Sequence, residues 1–247
     1  MGKSLGLAAL LLSVTATAQV KFVLVGDSTV AINNGWGPGF CALATVDTQC
    51  VNLAKNGRSS SSYRAEGSWA QALEEMKGER ETYVLIQFGH NDQPGKPERS
   101  TDLASEFPAN MRRYVEEVRA AGAHPVLITP LTRRVFRDGE LKNDLAPWSD
   151  AVKKVAHETG APVLDLNTES AAAVQKMGPA EANTLATAPP PPGIAVAASG
   201  PNSPNAPKAG DSSFDYTHLG PKGSDYFGHM VARELIQAIP TLHSALR

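Results

Sequence analysis

Apolar and polar positions along the chain fall into two kinds of stretch that alternate. Short, mostly apolar runs occur at 21–25, 51–54, 83–88, 125–129 and 163–166. Runs this short, with little polar alternation, read as strands buried on both faces. Between them apolar residues recur at helical spacing. The stretch 67–77 puts Trp69, Leu73 and Met76 on one face, and 101–121 does the same with Tyr114, Val115, Val118 and Ala121. Further helices are expected at 149–159, stopped by Gly160, at 168–177, and at 221–239 with Tyr226, Met230, Leu235 and Ile236 as packing residues. Pro108 lies near the start of the 101–121 helix and predicts a restart or a kink there. Strand and helix in strict alternation predict an α/β fold. The expected architecture is a three-layer α/β/α sandwich on a five-stranded parallel sheet, one domain over 19–247.

Two stretches depart from the alternation. Residues 1–18 carry Lys3, a short apolar segment from Leu5 to Val14, and Ala16-Thr17-Ala18. This is the pattern of an export signal cleaved before Gln19. Its apolar core is too short to remain in a bilayer. The other stretch, 178–213, is dominated by Ala, Pro, Gly, Ser and Asn and includes Pro189-Pro190-Pro191-Pro192. With almost no bulky apolar residue it reads as a surface insertion of partly polyproline character.

Composition adds limits. The chain of 247 residues is 42% hydrophobic and 19% charged, ordinary for a globular domain. The net charge of −2 offers no basic surplus for phosphates, which argues against nucleic acid as a partner. A soluble, secreted, monomeric protein without a membrane anchor is expected. Cys41 and Cys50 are the only cysteines. In an exported chain they predict one disulfide, the alternative being two free buried thiols. There is no Asn-x-Ser/Thr sequon.

Candidate chemistry sits where strands end. Gly26-Asp27-Ser28-Thr29 follows the first strand, Asn56-Gly57-Arg58 the second, and Gly89-His90-Asn91-Asp92 the third. In a parallel sheet these ends share one edge, where α/β proteins bind ligands. Asp215 and His218 precede the last helix and can reach the same edge. Each piece alone permits a plain reading: a helix cap at Ser28 or Asp215, an Asx turn at Asn91, a structural histidine at 218. Together they supply what acyl transfer needs. Ser28 is the nucleophile, His218 its base, and Asp215 the holder of the imidazole. The backbone N–H groups of Ser28 and Gly57 and the Asn91 side-chain amide form an oxyanion hole. His90 is expected in a structural hydrogen bond and Asp27 as a brace for the turn. Trp36, Tyr63, Trp69 and Trp148 are candidates for stacking on sugars, with Trp69 favoured as core. Arg58 is a candidate contact for an acidic sugar. The Gly-x-Ser-x-Gly elbow of the α/β-hydrolases is absent. No His, Asp, Glu or Cys cluster has metal-ligand spacing, so no cofactor is expected.

Gly26-Asp27-Ser28, Gly57, Gly89-His90-Asn91-Asp92 and Asp215-Tyr216-Thr217-His218 resemble, in order, the sequence blocks of the SGNH (GDSL-like) hydrolase superfamily. Within it, Gly-Asp-Ser-Thr, Asn56-Gly57-Arg58-Ser59 and the Asp-x-Thr-His ending are most similar to the rhamnogalacturonan acetylesterases. The resemblance implies a flavodoxin-like sheet, a Ser28-His218-Asp215 triad and an oxyanion hole of Ser28, Gly57 and Asn91. It also implies removal of acetyl groups from plant cell-wall pectin without a metal. The long insertion before Asp215 departs from the family pattern. Other esters, such as acetylated xylan, lipid or short acyl esters, are the alternative substrates, and a non-catalytic wall-binding protein is the alternative to an enzyme.

Overall fold

The computed structural model describes residues 20–78, 80–189 and 214–247. Residues 1–18, where an export signal is expected, and residues 190–213 of the Pro-rich stretch lie outside the described residues. Five parallel strands form the central sheet: β1 (Val20–Gly26), β2 (Gln49–Asn52), β3 (Glu81–Gln87), β4 (His124–Ile128) and, after a small antiparallel hairpin of β5 (Phe136–Arg137) and β6 (Glu140–Leu141), β7 (Val163–Leu164). Their spatial order is β2-β1-β3-β4-β7.

The unbroken apolar runs have a direct cause. On β1, Phe22 and Leu24 pack on one face with Phe40, Phe227 and Leu235. Val23 and Val25 pack on the other with Tyr63, Met111, Tyr114 and Val118. Both faces are covered, so both sets of alternating side chains must be apolar. Full burial of each such side chain contributes about 1.5–3 kcal/mol. One covering layer holds α2 (Ser62–Ala65), α3 (Ser68–Glu75), α4 (Glu106–Ala120) and α5 (Ala146–Thr159). The other holds α1 (Gly37–Cys41), α6 (Leu166–Asn183), α7 (Pro221–Ala238) and a closing 3₁₀ helix (Pro240–Ala245).

Two contacts lock the second layer. Helix α7 crosses α1 so closely that a β-carbon on Gly39 would stand 2.1 Å from the Ser224 carbonyl oxygen, and one on Gly228 2.4 Å from the Phe40 nitrogen. The chain end is then clasped to the segment before β2. Arg247 N–H donates to the Leu43 carbonyl at 2.8 Å and Thr45 N–H to Ala245 at 3.1 Å. Cys41 and Cys50 form a disulfide that ties α1 to β2.

Several local expectations need correction. The helix expected at 101–121 begins at Glu106. Asp102 Oδ1 instead accepts the Ala104 and Ser105 N–H groups at 3.1 and 2.8 Å and shapes a turn before it. Pro108 then falls in the first helical turn, where no intrahelical N–H bond exists to lose, and no kink results. The strand expected at 163–166 ends at Leu164, because Leu166 already opens α6. The Pro- and Ala-rich stretch does not become a surface insertion at Gly178. Gly178, at φ 71°, bends the chain, and helix resumes through Asn183. Ala182, Asn183, Leu185 and Ala186 are buried, and Gly220 N–H donates to the Leu185 carbonyl at 2.9 Å. Alanine both favours helix and fits tight packing, so small-residue content is a poor guide to exposure here.

Candidate active site

The strand order reverses between β1 and β3, which opens a crevice at their carboxyl ends. Ser28 leaves β1 and Asn91 follows β3, one on each side of it. Below Ser28 runs a buried polar chain. Trp36 Nε1 donates to Gln87 Oε1 at 2.9 Å, and Gln87 Nε2 donates to Thr29 Oγ1 at 2.6 Å. Thr29 Oγ1 and N–H donate in turn to Asp27 Oδ1 at 2.7 and 2.8 Å. Asp27 thus braces the turn, as expected. Burial opposes its ionisation, but His90 beside it and the Thr29 donors outweigh that and hold its pKa below the usual carboxylate range.

The hydrogen bond expected for His90 is not made. Its Nδ1 faces Asp27 Oδ2 at 3.4 Å, and neither ring nitrogen has a hydrogen-bond partner among the described residues. Burial lowers the His90 pKa and outweighs the pull of Asp27, with Arg133 and Lys96 adding to the lowering. The ring is therefore neutral at physiological pH.

Ser28, His218 and Asp215 meet across this crevice. His218 Nε2 lies 2.8 Å from Ser28 Oγ, and His218 Nδ1 lies 2.7 Å from Asp215 Oδ2. Asp215 Oδ1 accepts the Thr217 and His218 N–H groups at 2.8 and 2.9 Å. Burial raises the Asp215 pKa, but these two N–H groups and the His218 ring more than offset it, so the carboxyl sits below its ordinary value. An ionised Asp215 fixes the tautomer that leaves His218 Nε2 free to accept the Ser28 proton.

The oxyanion donors are brought together by the chain. Lys55 N–H donates to the Gly26 carbonyl at 3.0 Å, setting the Gly57 turn beside Ser28. One Asn91 Nδ2 hydrogen goes to the Arg58 carbonyl at 3.0 Å, which leaves the second for a ligand. The N–H groups of Ser28 and Gly57 have no partner among the described residues. Gly57 has φ +78°, a conformation costly for any residue with a β-carbon.

Beneath Asn91, the buried Asp92 Oδ1 accepts Ser60 Oγ at 2.6 Å, Ser60 N–H at 3.0 Å and Thr101 Oγ1 at 3.0 Å. Burial nevertheless pushes the Asp92 carboxyl up to about 6.

Arg134, invisible in the sequence, holds the Asp215–His218 loop. Its side chain is buried, and its Nη2 donates to the Asp215 and His218 carbonyls at 3.0 and 2.8 Å. Its backbone N–H donates to the Tyr216 carbonyl at 2.9 Å. Burial lowers its pKa to about 10, so it stays a cation.

The aromatic candidates for sugar stacking are not available. Trp36, Tyr63, Trp69 and Trp148 are all buried in the core. Arg58 is half-exposed and paired with Glu66 at 2.8 Å. Among the described residues no group of three His, Cys, Asp or Glu side chains could hold a metal ion, and no helix is long and apolar enough to cross a membrane.

The sequence model of the GDSL-like Lipase/Acylhydrolase family matches residues 24–226, which run from within β1 through the other strands of the sheet and include the whole Ser28-His218-Asp215 constellation. The chain belongs to this family. It is an SGNH hydrolase with the fold of that superfamily, and its relatives are carboxylic ester hydrolases. The rhamnogalacturonan acetylesterase RhgT of Bacillus subtilis is 37% identical over 174 residues, covering 67% of this chain and 73% of the relative. The probable rhamnogalacturonan acetylesterase YesY of the same organism is 28% identical over 232 residues, 91% of this chain and 96% of the relative. The crystal structure of Bacillus subtilis protein YxiM matches with a TM-score of 0.68 at 24% identity over 90% of this chain; the chain spans 57% of that structure.

Proposed function

We propose that this GDSL-family esterase removes O-acetyl groups from plant cell-wall polysaccharide, with rhamnogalacturonan as the substrate, through a serine acyl-enzyme. The observation that carries the chemistry is the unbroken line Ser28 Oγ, His218, Asp215, with contacts of 2.8 and 2.7 Å. The relatives named for rhamnogalacturonan acetyl esters support the substrate.

In the first half-reaction His218 Nε2 takes the Ser28 proton as Oγ bonds to the acetyl carbon. The carbonyl oxygen becomes an oxyanion, facing the N–H groups of Ser28 and Gly57 and the free Asn91 amide hydrogen. Collapse breaks the bond to the sugar oxygen, which leaves as an alcohol with the proton from His218. Water then adds to the acetyl-serine, with its proton going to His218, and acetate departs as the proton returns to Ser28 Oγ. Each oxyanion donor of this kind is worth about 2.7–4 kcal/mol in the transition state. Export through the 1–18 leader belongs to the same reading, since the polymer lies outside the cell.

Ser28→Ala tests the proposal. Acetate release from acetylated rhamnogalacturonan should fall by at least about 10⁴-fold while the melting temperature holds. Retention of most activity would end the assignment. Greater release from acetylated xylan than from rhamnogalacturonan would keep the enzyme and move the substrate.

A further inference from the structure

The loop 93–100 starts and ends on the residue after Asn91. Thr101 N–H donates to the Asp92 carbonyl at 2.9 Å, and Thr101 Oγ1 to the Asp92 carboxylate at 3.0 Å. Its position is therefore set by the oxyanion-hole segment itself. It carries two cations, Lys96 and Arg99. Arg99 Nη1 lies 3.4 Å from the Gly57 carbonyl oxygen, and 3.3 Å from where a β-carbon on Gly57 would stand. Lys96 Nζ donates to the His90 carbonyl. Each cation thus rests on a peptide that belongs to, or directly precedes, an oxyanion donor.

Among the described residues neither has a carboxylate within ion-pair distance. Glu98 stands between them in sequence at φ 63°, a costly backbone conformation for a side-chain-bearing residue, and pairs with neither. A third cation, Arg133, binds Asp144 and donates to Gln93 Oε1 at 2.8 Å. Lys96 feels Arg133 and Arg99 as like charges; these and burial, the largest cause, lower its pKa against the pull of Asp27 and Asp144. Asp27 Oδ1 is occupied by the Thr29 donors and its buried Oδ2 faces His90 at 3.4 Å, while Asp144 is held by Arg133. Like charges gathered beside the oxyanion donors, with N–H groups to spare, favour a bound anion.

We propose that Lys96 and Arg99 form a carboxylate subsite that recognises a uronic acid beside the acetylated position. The inference rests on the polysaccharide-esterase reading and narrows it to acidic backbones. The oxyanion has its own three N–H donors, so these cations serve a second negative charge. A pectic backbone supplies that charge as galacturonate carboxylates, whereas a xylan backbone is neutral.

The test measures binding to the Ser28→Ala protein, so turnover does not enter. The probes are an acetylated rhamnogalacturonan oligosaccharide and the same oligosaccharide with its carboxylates reduced to alcohols. The acidic form should bind about tenfold more tightly at low salt, with the preference shrinking as ionic strength rises. Arg99→Gln and Lys96→Met, each added to Ser28→Ala, should each cut that preference about three- to tenfold, a range suited to half-exposed charge pairs. Affinity for the reduced form controls for folding in both variants. Equal affinity for the two forms, no binding of either, or a preference untouched by both substitutions overturns the subsite. Acetate release by the protein with Ser28 intact is scored separately. Release without a carboxylate preference removes the subsite and keeps the esterase. A preference without release keeps the subsite and removes the esterase.

Discussion

The two halves of the site are held by opposite strategies. Ser28 grows out of β1, an inner strand of the sheet, over a chain of buried hydrogen bonds from Trp36 through Gln87 and Thr29 to Asp27. Several groups share that task. Asp215 and His218 sit on a loop outside the sheet, and one buried guanidinium reaches the carbonyls of Asp215 and His218. Only one further backbone tie among the described residues joins this loop to the nucleophile side, Leu219 N–H to the Asn34 carbonyl at 2.8 Å. A scaffold made of strands can spread its support; a loop must borrow it from a distant residue.

The contrast breaks most sharply at Arg134. Arg134→Met leaves those partly buried carbonyls without their donor and lets the base drift from Ser28. We expect kcat to fall about 10²-fold and stability by about 2–4 kcal/mol, with Arg134→Lys restoring part of both. Steady-state kinetics and thermal melting read this out, and near-normal turnover in the Met variant would show that the loop does not depend on the clamp. Thr29→Val probes the other half. It removes one Asp27 donor and leaves Gln87 Nε2 without an acceptor, yet the Thr29 N–H bond to Asp27 survives. A loss in kcat of less than about tenfold and of about 1–2 kcal/mol in stability is expected. A loss as large as that of Arg134→Met would erase the distinction.

Asp92 sharpens the picture through pH. Its carboxyl titrates near 6 in the folded chain, above its unfolded value, so the folded state holds that proton more tightly. Its ionisation therefore costs stability as pH rises from about 4 through about 6, by about 3 kcal/mol in total. Asp92→Asn keeps an acceptor for Ser60 and Thr101 and loses the titration. The stability of the variant relative to the parent should climb between pH 4 and pH 7 in denaturant titrations; a constant difference would place the proton elsewhere. The smallest effect on catalysis is expected at the disulfide. Cys41→Ser with Cys50→Ser should lower stability by about 2–3 kcal/mol and leave kcat at 25 °C unchanged, because the bridge ties α1 to β2 away from the crevice.

Much of this site is legible in the order of the amino acids alone. Burial on both faces forces unbroken apolar runs, so the strands stand out, and the residues after each run must share one edge. Ser28, Gly57 and Asn91 follow from that edge, and Asp215 and His218 lie in the segment before the last helix, which can reach it. Arg134 cannot be found this way. It lies in a polar stretch, Thr132-Arg133-Arg134, where nothing local separates a buried guanidinium from a solvated one. Trp36, Tyr63 and Trp148 fail as sugar platforms for a related reason, since an aromatic ring on a loop and one in a core look alike in one dimension; Trp69 lies in the core, as its helical spacing indicates. The stretch after Gly178 defies its composition because alanine and glycine are poor in apolar area yet good at close contact, and Ala182, Leu185 and Ala186 use that closeness to pack. Gln87 does carry a signal, as the one amide in an apolar strand.

The clasp between the last residues and the segment 43–45 has a practical consequence. Those residues lie at the edge where β1 and β2 begin, whereas Ser28 lies where β1 ends. A bead, surface or fusion partner coupled through Arg247 therefore holds the molecule by its floor. The cleft then points outward, towards whatever long polymer is passed across it.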